Sequence, residues 1–457
     1  MTVAPEILTA SETAAGVRRG ALSPIALTTA LLARIEALEP QIGAWVGVDA
    51  RSALAQAARL EAGGPENRPV GPLAGVCVGL KDIFDVAGMV TTAGASAFAH
   101  RLATRDATAV SRLRQAGAIV LGKTVTTEFA YLDPAGTRNP WNLDHTPGGS
   151  SSGSAAAVAS GMVPLALGTQ TVGSTLRPAG YCGIVGFKGT HGRISCSGVV
   201  PLAWSLDHVG ILCRSVADAA LALEVLAGHD PTDPVSAASP EAGWTLSGKP
   251  FASGRTPTLG LPPSSLLHRA SPAVVRHIED VAGAMERRGA TLVEVVLPGL
   301  GELESAGARI LRAEAAAAHA DRFVAHSADY RPLIRGLIEA GQAETAVDQA
   351  LAQRCLLRFR QASETIFEGI DALLSPVAAT PAPRGLAATG DPAFCAPWTY
   401  SGLPAISIPS GLDDHGLPLA VQLVSRAFDE AGLLAVASWC EAALGFSSAP
   451  PDLLGRD

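Results

Sequence analysis

The pattern of apolar and polar residues predicts helices at the start of the chain. Ser23 is a suitable N-cap residue, and the proline that follows it suits a first helical turn. Residues 50–62 form a second amphipathic segment. One apolar stripe runs along residues 23–38 at helical spacing: Leu27, Leu31, Ile35 and Leu38. We therefore predict an N-terminal helical segment within residues 1–66.

From residue 73 onward, short apolar runs alternate with helical segments. Residues 76–80 and 118–122 are typical of strands, and residues 109–117 between them are typical of a helix. A second such series lies near the C-terminus, with strands at 371–377, 404–410 and 418–424 and a helix at 430–443. This alternation predicts an α/β fold whose sheet is covered by helices on both faces.

Residues 133–200 are rich in Gly, Ser, Thr and Pro but interleaved with Ala and Val. A flexible linker would not contain a run such as AAAVASGMVPLAL, so we interpret the stretch as packed core. Its glycines would permit tight turns and a close approach of backbones.

The sequence pattern changes after about residue 236, where most of the predicted elements are helices. Helical segments are predicted at 272–288, 303–322 and 345–368, with a strand at 291–297. We interpret 236–370 as a variable helical region laid over the core. No clear linker marks it off, so we predict a single domain over residues 1–457.

Composition and charge exclude several classes of protein. Only 17% of the 457 residues are charged, which excludes disorder driven by charge. The net charge is −8 and there is no basic block, which argues against nucleic acid and anionic membranes as partners. The longest apolar run, 155–167, is too short and too interrupted to span a bilayer.

The N-terminus and the cysteines point to a cytoplasmic protein. No basic segment precedes an apolar core at the N-terminus, so no signal peptide is predicted. The seven cysteines are scattered and never form a C-x-x-C pair, which argues against a disulfide framework or a zinc site and favours a reducing compartment. No metal-ligand spacing such as H-E-x-x-H occurs, and we expect neither a metal nor a cofactor.

Residues 117–124 match the P-loop pattern G-x-x-x-x-G-K-[ST]. A P-loop needs a flexible loop after a strand, so that its N–H groups can wrap a phosphate. Here the residues between Gly117 and Gly122 are Ala-Ile-Val-Leu, which are typical of the strand itself. Gly117 is better explained as the residue that ends the preceding helix. We therefore favour a chance match over a nucleotide site.

Two other patterns suggest hydrolase chemistry but lack its context. Residues 149–153 fit G-x-S-x-G, the nucleophile elbow, which requires a preceding strand. The preceding HTPGG cannot be a buried strand, so we favour a chance match in a serine-rich loop. Acid–histidine neighbours occur at 144–145, 207–208 and 229–230. Adjacent side chains rarely point at one another, so turn or capping roles are favoured for these pairs.

Lys81, one of only four lysines, stands directly after the apolar strand 76–80. Burying an ammonium without a partner is costly, and such a lysine tends to lose its proton. Lowering its usual pKa of ~10.4 by ~3 would cost about 4 kcal/mol and would make it a usable base. The alternative is a salt bridge, for example with Asp82. From Lys81 alone, the salt bridge is the favoured interpretation.

Two serine-containing segments follow: the loop PGGSSSGSAAA at 147–157 and the turn GTQTVGSTLRPAGYCG at 168–183. Ser174 lies in the second, where successive N–H groups could converge on an oxyanion and stabilise a tetrahedral acyl intermediate. A serine needs a base to attack an amide, and no histidine is placed to serve.

Together, these segments resemble the amidase signature family. The resemblance rests on Lys81 in GLKDIFDVAG, on the serine loop 147–157 and on GTQTVGSTLRPAGYCGIVGFKGTHGRIS. It continues over most of the chain through GAIVLGKTVTTEFAY, TRNPWN, SLDHVGIL, LLSPVAATPAP, SGLPAISIPSG and LPLAVQLV. Single pieces are weak, but this many in this order are highly specific. The SLDHVG match also explains residues 207–208 as a structural element rather than a catalytic pair.

The resemblance implies a fold and a mechanism. The fold would be the amidase signature fold, a central mixed β-sheet flanked by α-helices on both faces. The triad would be Ser–cisSer–Lys: Ser174 the nucleophile, Ser150 the bridge within a cis peptide, and Lys81 the base that draws the proton of Ser174 through Ser150. The resemblance thereby displaces the salt bridge as the favoured role of Lys81. Ser151 would lie just outside the triad. The oxyanion hole would use four backbone N–H groups: those of Thr171, Val172, Gly173 and Ser174.

The resemblance also indicates where substrate would bind. The loop 124–140 and the region 236–400 are expected to form the pocket, because family members vary most there. Tyr131, Trp398 and Tyr400 stand beside matched motifs and are predicted pocket residues, with packing in the core as an equal alternative. Dimers occur in the family, and a homodimer through the N-terminal helices is an expectation.

Three positions depart from the family's common pattern G-T-D-T-G-G-S-I-R-x-P. Asp is replaced by Gln170, the first Gly by Val172 and Arg by Leu176, while Arg177 stands one residue further on. The β-branched Val172 fits the oxyanion turn only with a negative φ. Because an acid and an arginine near the nucleophile have changed, these departures bear on the substrate class rather than on catalysis.

We therefore predict an amide hydrolase that releases an amine or ammonia from a small or aryl/alkyl amide. The same triad could cleave a carbamate (urethane) or an ester. An amidase subunit of a tRNA-dependent amidotransferase is less favoured, because of Gln170 and Leu176. A catalytically idle binding protein is also less favoured, because Lys81, Ser150 and Ser174 are all present.

Overall fold

The computed structural model describes residues 8–62, 71–238, 255–297 and 299–454. Its strands are β1 Trp45–Val48, β2 Cys77–Lys81, β3 Ile119–Thr124, β4 Leu165–Gln170, β5 Val185–Lys188, β6 His208–Cys213, β7 Thr258–Leu261, β8 Thr291–Glu294, β9 Ala372–Pro376, β10 Ala405–Leu412 and β11 Pro418–Val424. Its helices are α1 Ala10–Arg18, α2 Pro24–Ile42, α3 Ala50–Ala62, α4 Thr108–Gln115, α5 Ser152–Ala159, α6 Leu176–Tyr181, α7 Val216–Leu226, α8 Ser264–Leu267, α9 Pro272–Arg287, α10 Leu300–Ala318, α11 Ala320–His326, α12 Pro332–Gln342, α13 Ala346–Ser363, α14 Ala396–Tyr400 and α15 Glu430–Leu444.

The strands form one sheet of eleven, in the order β1-β3-β2-β4-β6-β5-β10-β11-β9-β7-β8. Strand β2 pairs in parallel with both β3 and β4, whereas β4 pairs antiparallel with β6. The sheet is therefore mixed, as the resemblance implies. All residues of β2, β3, β4 and β6 are buried, which identifies these strands as the centre of the fold.

Residues of the central strands alternate between two hydrophobic cores. On β4, Ala166 packs into one core with helices α2, α3 and α5, while Leu165 and Leu167 pack into the other. Strand β3 repeats this alternation, with Leu121 in the first core and Val120 in the second. Because successive side chains of a strand point to opposite faces, both faces of the sheet are covered. The predicted layering is confirmed.

Many of the predicted elements are present. Helix α2 begins after Ser23, whose side chain accepts a hydrogen bond from the N–H of Ala26, and ends before Gly43, whose φ is 65°. The predicted strand 291–297 is shorter, Thr291–Glu294, and lies at the sheet edge. Most of the stretch 133–200 is buried, as predicted, but β4 and β5 within it were not predicted as strands.

The region 236–370 contributes more than helices over the core. Its strands β7 and β8 continue the sheet beyond β9, and its helix α10 packs against α12, α13 and α14. Parts of the predicted segments, at 1–7, 63–66 and 239–254, lie outside the described residues, and the division of the chain at 1–66 and 236–370 stays a prediction. None of the described helices combines the length and apolar character that crossing a membrane requires.

Candidate active site

Lys81 is the last residue of β2 and is completely buried. Its ammonium nitrogen Nζ donates to the hydroxyl oxygen Oγ of Ser150 at 2.7 Å and to Oγ1 of Thr169 at 2.8 Å. Thr169 lies on β4, which pairs with β2 in parallel. Two neighbouring central strands thus hold the lysine, and both of its acceptors are uncharged hydroxyl groups.

The salt bridge considered for Lys81 and Asp82 does not form. The Asp82 carboxylate is paired instead with Lys123 on β3, with 2.7 Å between Oδ1 and Nζ, and both side chains are buried.

The residues that match the P-loop pattern belong to a strand and a helix end. Lys123 lies within β3, and Gly117, with φ of 88°, follows the end of helix α4. The P-loop interpretation of 117–124 is therefore excluded, and its lysine has a structural role.

Burial controls the charge of Lys81. Removal from water lowers the pKa of Lys81 to about 7, and the nearby Asp207 carboxylate raises it in opposition. Burial likewise raises the pKa of Asp207 to about 6, while hydrogen bonds from Thr171, Leu202 and Ala203 lower it. Lys81 is consequently able to exchange a proton near neutral pH.

Ser150, the predicted bridge, follows a cis peptide bond. The peptide bond between Gly149 and Ser150 is cis, as the resemblance implies. The carbonyl of Gly149 accepts a hydrogen bond from Nη2 of Arg177 at 2.7 Å, and the carbonyl of Ser150 accepts one from the N–H of Thr127 at 3.2 Å. Helix α5 begins only at Ser152, and the described residues 125–148 before the loop contain no strand. The nucleophile-elbow interpretation of 149–153 is therefore excluded.

Ser151 connects the serine loop 147–157 to strand β4 and to the turn that contains Ser174. Its Oγ donates to the carbonyl of Thr169 and accepts from the N–H of the same residue, both at 3.2 Å. Its own N–H donates to the carbonyl of Ser174 at 3.3 Å. A Cβ atom at Gly168 would lie 2.5 Å from the Ser151 oxygen, so glycine is required there. Ser151 thus links the strand that holds Thr169 to the turn that holds Ser174.

Ser174 lies in the turn between β4 and α6 and is 8% exposed. Within the described part of the chain, the N–H groups of Val172, Gly173 and Ser174 donate to no acceptor. The non-glycine residues with positive φ in that part are Ala93, Phe129, Ala130 and Phe428, so Val172 keeps the negative φ that was predicted. The turn offers consecutive free donors beside a nearly buried serine.

Gln170, which replaces the family's acid, organises this turn. Its side-chain oxygen Oε1 accepts from the N–H groups of Thr175 and Leu176, at 2.9 and 3.0 Å. Its amide nitrogen Nε2 donates to Oγ1 of Thr399 at 2.9 Å. An ionised carboxylate could make the first two contacts but not the third, because it has no hydrogen to donate.

The hydroxyl of Thr399 links Gln170 to the turn. Its closer carbonyl acceptor is that of Val172 at 2.6 Å, and the other is that of Cys395 at 3.1 Å. The carbonyl of Val172 belongs to the same peptide unit as the N–H of Gly173. A hydrogen bond accepted at one end of a peptide unit strengthens donation at the other. Gln170 and Thr399 therefore act on a predicted oxyanion donor.

Asp207 and His208 do not form a catalytic pair. The Asp207 carboxylate accepts from the hydroxyl of Thr171 at 2.6 Å and from the N–H groups of Leu202 and Ala203 at 2.9 and 3.0 Å. Nδ1 of His208 lies 2.6 Å from the carbonyl of Leu206, an acceptor. The interpretation of 207–208 as a structural element is confirmed.

A cavity of about 450 Å³ adjoins the site. Thr169, Thr171 and Asp207 form its wall toward Lys81, and the rest is mainly apolar, with Trp204 among its lining residues. Other apolar lining residues come from the segment before β6 and from elsewhere: Ile83, Ala130, Val199, Val200, Pro201 and Leu202. This segment was not among the predicted substrate-binding regions.

The three aromatic residues predicted to line the pocket, Tyr131, Trp398 and Tyr400, are buried or partly buried. Trp398 and Tyr400 are 1% and 5% exposed and belong to the main hydrophobic core, and Tyr131 is partly buried against it. The ring of Tyr400 is in tight contact with Gly307 of α10, where a Cβ atom would lie 2.3 Å from it. Their part in binding substrate stays a prediction.

Sequence reasoning missed three polar residues of this site. Thr169 and Thr399 are ordinary threonines whose contacts with Lys81 and Gln170 arise only in the fold. Asp207 lies within the matched motif SLDHVGIL, but the motif does not predict its contact with Thr171. The matched motifs predict the triad positions, but they do not predict the side chains that contact those positions.

Comparisons with known proteins agree with this geometry. The Amidase family model matches residues 26–434. A glutamyl-tRNA(Gln) amidotransferase subunit of Anaeromyxobacter sp. (strain K) is 37% identical, over 96% of this chain and 97% of that protein. A 6-aminohexanoate cyclic dimer hydrolase has a TM-score of 0.88 at 28% identity, over 97% of this chain and 98% of that one. The peptide amidase from Stenotrophomonas maltophilia has a TM-score of 0.85 at 30% identity, over 97% and 98%. The chain thus belongs to the amidase family, the amidase signature enzymes, and is a hydrolase of carbon–nitrogen bonds other than peptide bonds.

Proposed function

We propose that this enzyme hydrolyses amides through an acyl-enzyme, with Ser174 as nucleophile, Ser150 as bridge and Lys81 as base. The observation that carries the proposal is the 2.7 Å hydrogen bond between Nζ of Lys81 and Oγ of Ser150, in a site where both residues are completely buried. A buried lysine that faces a hydroxyl group rather than a carboxylate is suited to accept a proton.

In the first half of the reaction, neutral Lys81 accepts the Ser150 proton while Ser150 accepts the proton of Ser174. The oxygen of Ser174 then bonds to the amide carbon, and the carbonyl oxygen becomes an oxyanion. The N–H groups of residues 171–174 would stabilise that charge. As the C–N bond breaks, the proton returns through Ser150 to the leaving nitrogen. Water then attacks the acyl-enzyme, with the same relay accepting its proton, and releases the carboxylic acid.

Asp207 supports the charged stage of this cycle. When Lys81 gains its proton, an ammonium forms in a buried place, and the Asp207 carboxylate favours that form. Because Asp207 also accepts from Thr171, one side chain bears on both the base and the oxyanion turn. We assign Asp207 a positioning role rather than a catalytic one.

The substrate is proposed to be a small or aryl/alkyl amide. The largely apolar cavity beside Thr169 and Thr171 suits an alkyl or aryl group next to the scissile bond. The same chemistry could act on a carbamate (urethane) or an ester, because each forms the same kind of acyl-enzyme.

A second candidate function comes from the curated relatives. Two glutamyl-tRNA(Gln) amidotransferase subunits, from Anaeromyxobacter sp. (strain K) and Geobacter metallireducens, are 37% and 34% identical to this chain over 96% and 92% of its length. By this likeness, the chain could supply ammonia from glutamine within a complex. Release of ammonia from glutamine, together with co-purification of partner subunits, would favour this candidate over a free-standing amidase.

The test is hydrolysis of matched anilide, primary amide, ester and carbamate substrates by the wild type and by Ser174→Ala. The proposal expects the wild type to cleave at least one, the variant to cleave none, and a fluorophosphonate to label the wild type only. A wild type that neither cleaves any substrate nor accepts the label would contradict it. The relative rates rank amide, carbamate and ester.

A further inference from the structure

Trp204 is an exposed tryptophan that lines the cavity beside the active site. It is 43% exposed and is the most exposed tryptophan among the described residues, whereas Trp398 is 1% exposed in the core. The same cavity is lined by apolar side chains such as those of Val200, Pro201 and Pro234. A large aromatic surface that faces a cavity rather than the core indicates a binding surface, because its exposure to water forgoes the gain of burial.

Two side chains from other parts of the fold hold the backbone beside this ring. Nε2 of His191 lies 3.2 Å from the carbonyl oxygen of Trp204, which can only accept, so the imidazole donates from that nitrogen. Both carboxylate oxygens of Glu314 accept from Ser205, Oε2 from its N–H at 2.8 Å and Oε1 from its hydroxyl at 2.6 Å. The residue at the cavity wall is thus fixed at its own carbonyl and at the next residue.

Glu314 is a buried carboxylate, 3% exposed, on helix α10. A carboxylate in such a place is unfavourable unless hydrogen bonds compensate for the lost water. Burial raises the pKa of Glu314, hydrogen bonds from Ser205 lower it, and the nearby Asp207 carboxylate raises it again. The contacts with Ser205 are therefore what stabilises this carboxylate, and they join the segment 202–207 to α10.

The segment 202–207 is itself a tight turn. The carbonyl of Ala203 accepts from the N–H groups of Leu206 and Asp207, at 2.9 and 2.8 Å. The carboxylate of Asp207 accepts from the N–H of Ala203 at 3.0 Å and from the hydroxyl of Thr171 at 2.6 Å. Because Thr171 belongs to the oxyanion turn, Trp204 is held at a defined position relative to the reacting carbonyl group before any substrate binds.

We propose that Trp204 is a specificity-determining residue that selects amides with an aromatic ring, and that Glu314 is the positioning residue that holds Trp204 at the cavity. This inference rests on the proposed function, since it names the substrate class of the same site. The ring of the substrate would lie against the indole, in a cavity whose volume of about 450 Å³ is within the range of small-molecule sites. Contact between two aromatic rings favours such a substrate over an alkyl amide of equal size.

The test uses acetamide and two matched pairs of larger amides. The pairs are phenylacetamide with cyclohexylacetamide, and acetanilide with N-cyclohexylacetamide. In at least one pair, Trp204→Ala should lower kcat/KM for the aromatic member by about 10- to 100-fold, the range expected when an aromatic group loses its buried contact. The cyclohexyl member should lose less, and acetamide should lose hardly any. The pair that responds tells whether the ring lies on the acyl or on the amine side.

Two control variants separate recognition from support of the fold. Trp204→Phe keeps an aromatic face and should retain most of the preference for the aromatic amide. Phe428→Ala truncates an aromatic side chain of similar exposure, 41%, that does not line the cavity, and it should leave all the rates unchanged. If Trp204→Ala slowed acetamide and the aromatic amides by the same factor, Trp204 would only support the fold and the proposal would be wrong.

The role of Glu314 is tested by the ratio of kcat/KM for the responding aromatic amide to that for acetamide. Glu314→Ala should lower this ratio mainly through KM, whereas Glu314→Gln, whose side-chain carbonyl still accepts, should retain most of it. In the double variant Trp204→Ala/Glu314→Ala the ratio should be no lower than in Trp204→Ala. A Glu314→Ala variant that slowed both substrates equally would contradict the positioning role.

Equilibrium binding tests the same subsite without hydrolysis. Calorimetry should show phenylacetamide or acetanilide binding to Ser174→Ala, and binding at least tenfold weaker to Ser174→Ala/Trp204→Ala. If the wild type hydrolyses the aromatic amides and Trp204→Ala leaves their kcat/KM unchanged, the Trp204 proposal fails while the amidase mechanism stands. If the aromatic amides bind through Trp204 but no amide or ester is cleaved, the mechanism fails while the aromatic subsite stands.

Discussion

Asp82 forms its ion pair with Lys123 on the adjacent strand, and not with Lys81, its neighbour in the chain. Burial lowers the pKa of both lysines, but the two have different partners. Lys123 has a buried carboxylate that favours its charge, whereas the contacts of Lys81 are the hydroxyl groups of Ser150 and Thr169. The fold assigns the available carboxylate to the structural lysine and leaves the other able to lose its proton.

This division predicts opposite effects of removing each lysine. Lys123→Met leaves Asp82 buried without its partner and should lower the free energy of unfolding by about 3–5 kcal/mol. Lys81→Met removes a charge that burial disfavours and should lower it far less. Urea unfolding at pH 7 of the two variants measures this difference. Equal losses would contradict the assignment of the two roles.

The acid side of the pH–rate profile should report Lys81. The base must be neutral to accept a proton, and burial lowers its pKa to about 7, so kcat/KM should rise with pH through about 7 and then level off. Because the Asp207 carboxylate raises the pKa of Lys81, Asp207→Asn should move this midpoint to lower pH. A midpoint that stays in place or moves upward would contradict the coupling.

The pKa of Lys81 also predicts how stability depends on pH. Its folded pKa of about 7 lies below the ordinary value of 10.5, so the unfolded chain binds more protons between these pH values. The free energy of unfolding of the wild type, relative to Lys81→Met, should therefore rise between about pH 7 and 10.5. Paired urea titrations across this range check the sign.

The triad variants should not be additive. Lys81→Ala and Ser174→Ala should each lower kcat by about 10⁴-fold or more, because each interrupts the same proton relay. Ser150→Ala should be severe but less complete. The double variant Lys81→Ala/Ser174→Ala should be no slower than the slower single variant. Single-turnover rates measure this, and multiplicative losses would argue against one relay.

The hydrogen bonds that lead from Gln170 through Thr399 to Val172 should stabilise the transition state more than they strengthen substrate binding. Gln170→Glu keeps an acceptor for the N–H groups of Thr175 and Leu176 but cannot donate to Thr399 when ionised. We expect about a tenfold fall in kcat, less than the loss of a direct oxyanion donor, with KM little changed.

Thr399→Val tests the same series of hydrogen bonds at its middle residue, because it removes the hydroxyl and keeps the shape of the side chain. It should reproduce the fall in kcat and weaken an aldehyde transition-state analogue by the same factor. A change confined to KM would place these residues in substrate binding instead.

The sequence was enough to predict a candidate triad and many of the helices and strands. Lys81, Ser150 and Ser174 stand in ordered motifs, and strands such as β11 have apolar runs between turn signals. Strand β4 was missed because its sequence, LALGTQ, lies in a stretch whose Gly and Ser content hides a buried parallel strand. The partners of Asp82 and Gln170 lie 41 and 229 positions away, and no local pattern specifies such contacts.

The pairing of β2 with β4 has a consequence for how the enzyme is made. Lys81 and Thr169 are 88 positions apart, and they meet only when two parallel strands at the centre of the sheet are aligned. Contacts between distant parts of a chain form slowly, because a long loop must close before they contribute stability. During refolding, helical structure should therefore return well before hydrolytic activity, and a newly synthesised chain cannot complete its catalytic centre until residues far beyond its first strand have emerged.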